Sequence, residues 1–179
     1  MFRAIVREGV YLKLLEDRHA PAVFAVVDRD RAYLREWLPW VDASKEVDDT
    51  RAFIRGALEQ FAKNDGLTAG IWCGEEFAGV IGTHKLRWAN RSAEIGYWLA
   101  AKFQGRGIMA DACRLLIDHA FNEWALNRVE IRCATGNIKS CAIPKRLGFQ
   151  HEGMLREAEL IDGKYLDLNI YGMLARDWK

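Results

Sequence analysis

Apolar and polar residues alternate from Val10 to Leu14, with Val10, Leu12 and Leu14 on one side, and this period of two predicts a half-buried first strand. From Asp17 the pattern turns helical: Val23, Phe24 and Val27 share a face, and Pro21 is tolerated near the helix start. A second helix follows Asp48-Asp49, where Phe53, Ile54, Ala57, Leu58 and Phe61 recur at helical spacing until Asn64-Asp65-Gly66 stops it. Three strand-like runs come next, Leu67 to Cys73, Phe77 to Trp88 and Ala93 to Ala100, joined by polar breaks short enough for an antiparallel meander. Met109, Cys113, Leu116, Ile117, Ala120, Phe121 and Trp124 then mark one face of a long amphipathic helix. Val129, Ile131 and Cys133 alternate as a strand, and a shorter helix from about Asn137 contains Pro144 and ends at Gly148, a left-handed cap. The last segment reads as a hairpin about Asp162-Gly163, with Leu166, Leu168 and Ile170 on one face of the returning strand. The order β-α-α-β-β-β-α-β-α-β-β predicts a mixed sheet with helices packed on it.

Composition narrows the classes. The 179 residues are half hydrophobic, which suits one domain over residues 1–179 with a substantial core. Lys and Arg number 26 against 25 Asp and Glu, and no basic stretch is dense enough to follow a phosphate backbone, so no nucleic-acid partner is expected. No apolar run of about eighteen residues or signal-like N-terminus occurs, which predicts a cytoplasmic protein with no membrane partner. Cys73, Cys113, Cys133 and Cys141 are scattered without C-x-x-C spacing and read as reduced core thiols. The four histidines form no ligand pattern, so no metal is expected.

The most informative segment runs from Tyr97 to Ala110, a strand passing through the glycine-rich turn Gln104-Gly105-Arg106-Gly107 into the long helix. Such a turn aims backbone N–H groups from a positive helix end and suits a pyrophosphate. Its spacing fits neither a P-loop nor a G-x-G-x-x-G dinucleotide fingerprint. Gln104-x-x-Gly107, followed by Asn137-x-x-Ser140 and Leu147-Gly148-Phe149, resembles the pyrophosphate loop and second conserved block of the GNAT (Gcn5-related) N-acetyltransferases. Leu34 to Trp40 and Glu152 to Glu159 resemble the branch that acetylates ribosomal-protein N-termini. Met109 departs from the Gly or Ala usual at the end of the loop motif, and its side chain can still turn into the core.

The resemblance implies the GNAT fold: an α/β mixed sheet of about seven strands with helices on both faces. The fourth and fifth strands, Ala93 to Ala100 and Arg128 to Ala134, would run parallel and splay, with the intervening helix crossing right-handed between them. It also implies acetyl-CoA as cosubstrate, held by Trp98, Leu99, Gln104, Gly105, Arg106, Gly107, Ile108, Met109, Ala110 and Asn137. An acceptor amine, that of a ribosomal protein N-terminus, would attack the thioester directly in a ternary complex.

By the same resemblance Ser140 protonates the departing thiolate, although a Ser at a helix start also caps or back-bonds. Glu159, nineteen positions on, is the base, with Glu157 or a water as the alternative, since period two puts the two carboxylates on one face. A carboxylate near pKa ~4.3 acting through water suffices for an α-amine near ~8 better than for a lysine near ~10.4. Trp37 and Trp40 form a lip of the acceptor cleft or merely pack helix on sheet. Asp42 and Glu46 read as a solvated loop, His84, His119 and His151 as surface positions without a role, and Cys141 as a packed thiol. A small-amine acetyltransferase and a non-catalytic acyl-CoA module remain as alternatives, and the exposed C-terminal hairpin offers a homodimer surface.

Overall fold

A computed structural model describes residues 3–179. Eight strands form one sheet: β1 (Ala4–Arg7), β2 (Val10–Leu14), β3 (Thr68–Cys73), β4 (Glu76–Arg87), β5 (Ser92–Leu99), β6 (Arg128–Ala134), β7 (Gln150–Ile161) and β8 (Lys164–Leu174). The helices are α1 (Ala20–Arg29), the single turn α2 (Arg31–Leu34), α3 (Val47–Ala62), α4 (Ile108–Asn122) and α5 (Ile138–Arg146). The spatial order is β1-β2-β3-β4-β5-β6-β8-β7, and every neighbouring pair is antiparallel except β5 with β6.

The sheet has eight strands where seven were expected. The extra one, β1, is a four-residue edge strand with mostly exposed side chains, too short and too open for a period-two signal. The meander is as read, with β5 running Ser92–Leu99, and β5 and β6 are parallel with α4 as the crossover. The turn at Asp162-Gly163 takes positive φ at both positions (48° and 72°), the backbone of a two-residue hairpin loop.

The core lies on both faces of the sheet. Cys113, Leu116, Ile117 and Ala120 of α4 are fully or almost fully buried, as are Ile95, Val129 and Ile131 beneath them. On the other side Val23 and Ile54 bring α1 and α3 onto β3 and β4. Phe53 and Phe61 were expected on the buried face of α3 but are 47% and 45% exposed, because that helix meets the sheet along the line of Thr50 and Ile54. Successive residues of β5 therefore look to opposite sides, Ile95 and Tyr97 toward α4 and α5, Gly96 and Trp98 toward α1 and α3.

Candidate active site

The parallel ladder is short. β5 and β6 pair from Ser92↔Arg128 to Ile95↔Ile131 and then part, β5 staying on β4 as far as Gly79↔Leu99 and β6 on β8 as far as Ala134↔Leu168. An opening thus forms at residues 96–99, lined on the α4/α5 side by a groove of about 490 Å³.

At one end of the groove the chain turns through Gly105 (φ +73°) and Gly107 (φ +75°), conformations glycine adopts without a Cβ penalty, and enters α4 at Ile108. Among the described residues no acceptor meets the N–H groups of residues 105–110, whereas Gln104 and Asp111 on either side donate to Ala101 and Gly107 carbonyls. Unpaired N–H groups at a helix start form an anion cradle. Arg106, Lys139 and Arg146 add positive charge to the groove wall. β1 holds the loop from behind: Arg7 donates to Asp111 Oδ2 and to the Arg106 carbonyl, both at 2.9 Å.

The far wall is the start of α5. The Asn137 carboxamide oxygen accepts from the Ser140 N–H at 3.1 Å, an N-cap that presents Ser140 to the groove. Pro144 lies inside this helix and has no N–H to give the carbonyl of Ser140, four residues back. Tyr97 supplies the missing donor from β5, its hydroxyl meeting that carbonyl at 3.2 Å. Burial pushes the Tyr97 phenol well above its ordinary range, so it stays a donor. Beneath Ser140, burial and the neighbouring Cys141 thiol hold Cys133 far above its usual range, and Cys141 packs under the helix.

A second cleft, about 630 Å³, opens on the other face between α1, α3 and β4–β5. Its walls are mainly apolar, among them Val27, Trp40, Phe53 and Val80. Leu38, Tyr97 and Trp98 line both groove and cleft, so the two meet at the opening between β5 and β6. Trp40 stands 6.0 Å from Trp98, ring centre to ring centre.

The expected cofactor residues Trp98, Leu99, Gln104 to Ala110 and Asn137, together with Ser140, all line the groove. Met109 is buried, so its side chain turns into the core as anticipated. The two lip tryptophans separate: Trp37 lines the groove, against Gly136, and Trp40 the cleft. Glu159 is half-buried on β7 and lines neither; burial and the Glu94 carboxylate raise its pKa. Glu157 does not share its face by simple alternation. The register breaks between Leu155 and Glu159, with Glu157 at φ +50° and its N–H donating to Asp167. Sequence reasoning missed Arg7, Tyr97, Lys139 and Arg146, which no spacing singled out, and gave no role to His84, which lines the cleft. Among the described residues no cluster of His, Cys, Asp or Glu could hold a metal ion, and no helix is long and apolar enough to cross a membrane.

A strand splay, an anion cradle at the next helix and two clefts meeting at the gap define an acyl-CoA-dependent N-acyltransferase. Residues 10–150 match the family described as "Acetyltransferase (GNAT) domain", and the chain belongs to it. It is 38% identical to YdaF of Bacillus subtilis (strain 168), provisionally named a ribosomal N-acetyltransferase, over 100% of this chain and 98% of that one. It is 30% identical to the ribosomal-protein-serine acetyltransferase of Escherichia coli (strain K12), over 94% of each. The solved structure of RimL, the ribosomal L7/L12 alpha-N-protein acetyltransferase, in complex with coenzyme A superposes with a TM-score of 0.93 at 29% identity, covering 97% of this chain and 98% of that one. The protein is thus an acetyl-CoA-dependent N-acetyltransferase.

Proposed function

We propose that the protein acetylates the N-terminal α-amine of a ribosomal protein, by direct attack of the amine on acetyl-CoA in a ternary complex. The observation that carries this reading is the pair of clefts meeting at Leu38, Tyr97 and Trp98, which lets cosubstrate and acceptor reach one opening from opposite faces of the sheet. Proximity of this kind makes an acyl-enzyme unnecessary. The names of the relatives, at 30–38% identity over nearly the whole chain, support the ribosomal acceptor.

The groove fits the cosubstrate. Backbone N–H groups of residues 105–110 would hold the pyrophosphate, with Arg106, Lys139 and Arg146 adding charge, and the strand opening would admit the pantetheine arm. When bound, acetyl-CoA supplies an activated acetyl thioester at that opening. Ser140 holds a hydroxyl proton for the departing sulfur, steadied by the Asn137 cap and the Tyr97 hydrogen bond. Glu159 accepts the amine proton through water, and its raised pKa makes it a stronger base than an ordinary glutamate. Trp40, Trp98 and Phe53 offer flat apolar surface to the residues that follow an acceptor amine.

The test is an acceptor screen read by mass spectrometry, setting peptides with ribosomal-protein N-termini against a library of small amines. Acetylation confined to peptide α-amines upholds the reading; turnover of small amines alone overturns it.

A further inference from the structure

The cleft on the α1/α3 face contains three titratable side chains, Asp49, His84 and Tyr97, and two are engaged elsewhere. The Asp49 carboxylate accepts from the N–H groups of Lys45 and Glu46 at 2.8 and 3.1 Å, and these bonds lower its pKa. Tyr97 donates to Ser140 on the other face. His84 remains, and neither of its ring nitrogens has a hydrogen-bond partner among the described residues.

Its position is built by an irregularity in the sheet. Thr83 pairs with Ile95 and Lys85 with Glu94, leaving His84 as the extra residue of a bulge in β4. Val80, Gly82 and His84 alternate onto the cleft face of β4, and the bulge leaves His84 unpaired there. Here the imidazole lies on the Cα of Gly96: a Cβ at that glycine would fall 1.6 Å from His84 Nε2 and 2.0 Å from Cδ2. Gly96 is the first residue of β5 beyond the last parallel pair, Ile95↔Ile131, and Trp98, two positions on, belongs to both cavities. The imidazole therefore covers the cleft side of the opening through which the thioester must be reached.

We propose that His84 is a further catalytic residue, which takes the proton from the acceptor amine. The nitrogen lone pair forms the bond to the acetyl carbon as the carbon–sulfur bond breaks with its electrons on sulfur. The thiolate takes the Ser140 Oγ proton, which water replaces, and the proton shed by nitrogen goes to His84 Nε2 and from there through water to Glu159. Glu159, outside the cleft, serves as the later acceptor. Glu94 links the two, since its charge acts on both His84 and Glu159. His84 keeps an exposed edge, and around it partial desolvation by the cleft walls lowers the imidazole pKa, Glu94 opposes this and Lys85 lowers it further. Glu94 is itself held by Lys85 at 3.4 Å and Arg132 at 3.5 Å, and Arg132 also pairs with Glu130. The lowered pKa leaves more of the group neutral and open to a proton than in an ordinary imidazole.

The inference rests on acetyl transfer to an amine and not on which amine, so the best acceptor of the parental enzyme serves for the test. In His84→Gln, kcat at pH 7 is expected to fall about 10²- to 10⁴-fold, with the calorimetric CoA affinity unchanged. In His84→Ala, added imidazole should restore part of the rate. NMR titration should give His84 a pKa below the ordinary value, lower again in Glu94→Gln, and the rising limb of kcat should follow it. Parental kcat and an intact limb in His84→Gln, with the limb lost in Glu159→Gln, would overturn the proposal and leave Glu159 as the first acceptor. A loss in His84→Ala that imidazole does not relieve would also overturn it. If peptides fail as acceptors and a small amine succeeds, the ribosomal reading falls while the same comparisons on that amine still decide the role of His84.

Discussion

Tyr97→Phe removes one oxygen, and the structure sets both its cost and the background in which that cost should vanish. The Tyr97 hydroxyl fills a vacancy made by Pro144, which has no N–H for the Ser140 carbonyl. An unsatisfied buried acceptor costs about 1–3 kcal/mol. The 3.2 Å separation and the partly buried setting put this one near the low end, about 1 kcal/mol. For a chain of 179 residues that corresponds to a Tm lower by about 2–4 °C. Pro144→Ala supplies the absent N–H from within α5, so in that background Tyr97→Phe should cost little. Urea unfolding of the four proteins gives the double-mutant cycle, with an expected coupling of about 1 kcal/mol. Because the bond steadies the turn that carries Ser140, kcat of Tyr97→Phe should fall, by up to about tenfold, with CoA affinity unchanged, and recover when Pro144→Ala is added. Equal losses of stability in both backgrounds would mean that the hydroxyl does not replace a backbone donor.

Three further outcomes are expected. Gly107→Ala adds a Cβ at φ +75°, with only Arg7 within 4 Å, so it should fold with a loss of about 1–2 kcal/mol from backbone strain. Calorimetry should show weakened CoA binding, and unchanged affinity would remove the loop from the cosubstrate site. Glu159 has a raised folded pKa, so its ionised form is the destabilised one, and its contribution to stability is present at low pH and lost as pH rises through that pKa. Glu159→Gln should therefore raise Tm at pH 7 and not at pH 3, and should lower turnover at neutral pH with the loss shrinking toward about pH 9, where an α-amine of pKa ~8 arrives deprotonated. Ser140→Ala should lose turnover by a factor that high pH does not relieve, since thiolate protonation is no easier there; a pH–rate profile with one peptide acceptor checks both.

How much of the site was legible follows from where its parts sit in the chain. The loop and the Asn137–Ser140 turn are local: the glycine-rich turn before the helix was legible, and the structure gives Gly105 and Gly107 positive φ, whereas the capping side chain proves to be Asn137 and not Ser140. The parallel pair of strands followed from the family resemblance, and the helix between them is its crossover. Contacts between distant segments were not legible. Arg7 reaches Asp111 across 104 positions from an edge strand too short to read, and Tyr97 meets Ser140 across 43. His84 is the surface residue of β4 that the pattern suggested, but its place against Gly96 depends on the pairing with β5, which the chain pattern does not show. The same blindness affected Glu157 and Glu159, whose period-two relation fails at an irregularity in β7. Phe53 was legible as apolar on a helix, but the sequence does not distinguish a residue facing the core from one facing an open cleft.

On the proposed function, the opening between β5 and β6 brings acetyl-CoA and a peptide α-amine together for direct transfer. Its most direct measurement is intact-mass analysis of peptides carrying a free ribosomal-protein N-terminus and an internal lysine, incubated with the protein and acetyl-CoA, beside the same peptides with the N-terminus blocked. Direct transfer gives one acetyl group on the free peptides, located at the α-amine, none on the blocked ones, and no acetylated protein when acetyl-CoA is supplied alone. Acetylation of the blocked peptides at lysine, or an acetyl group retained on the protein, would contradict it.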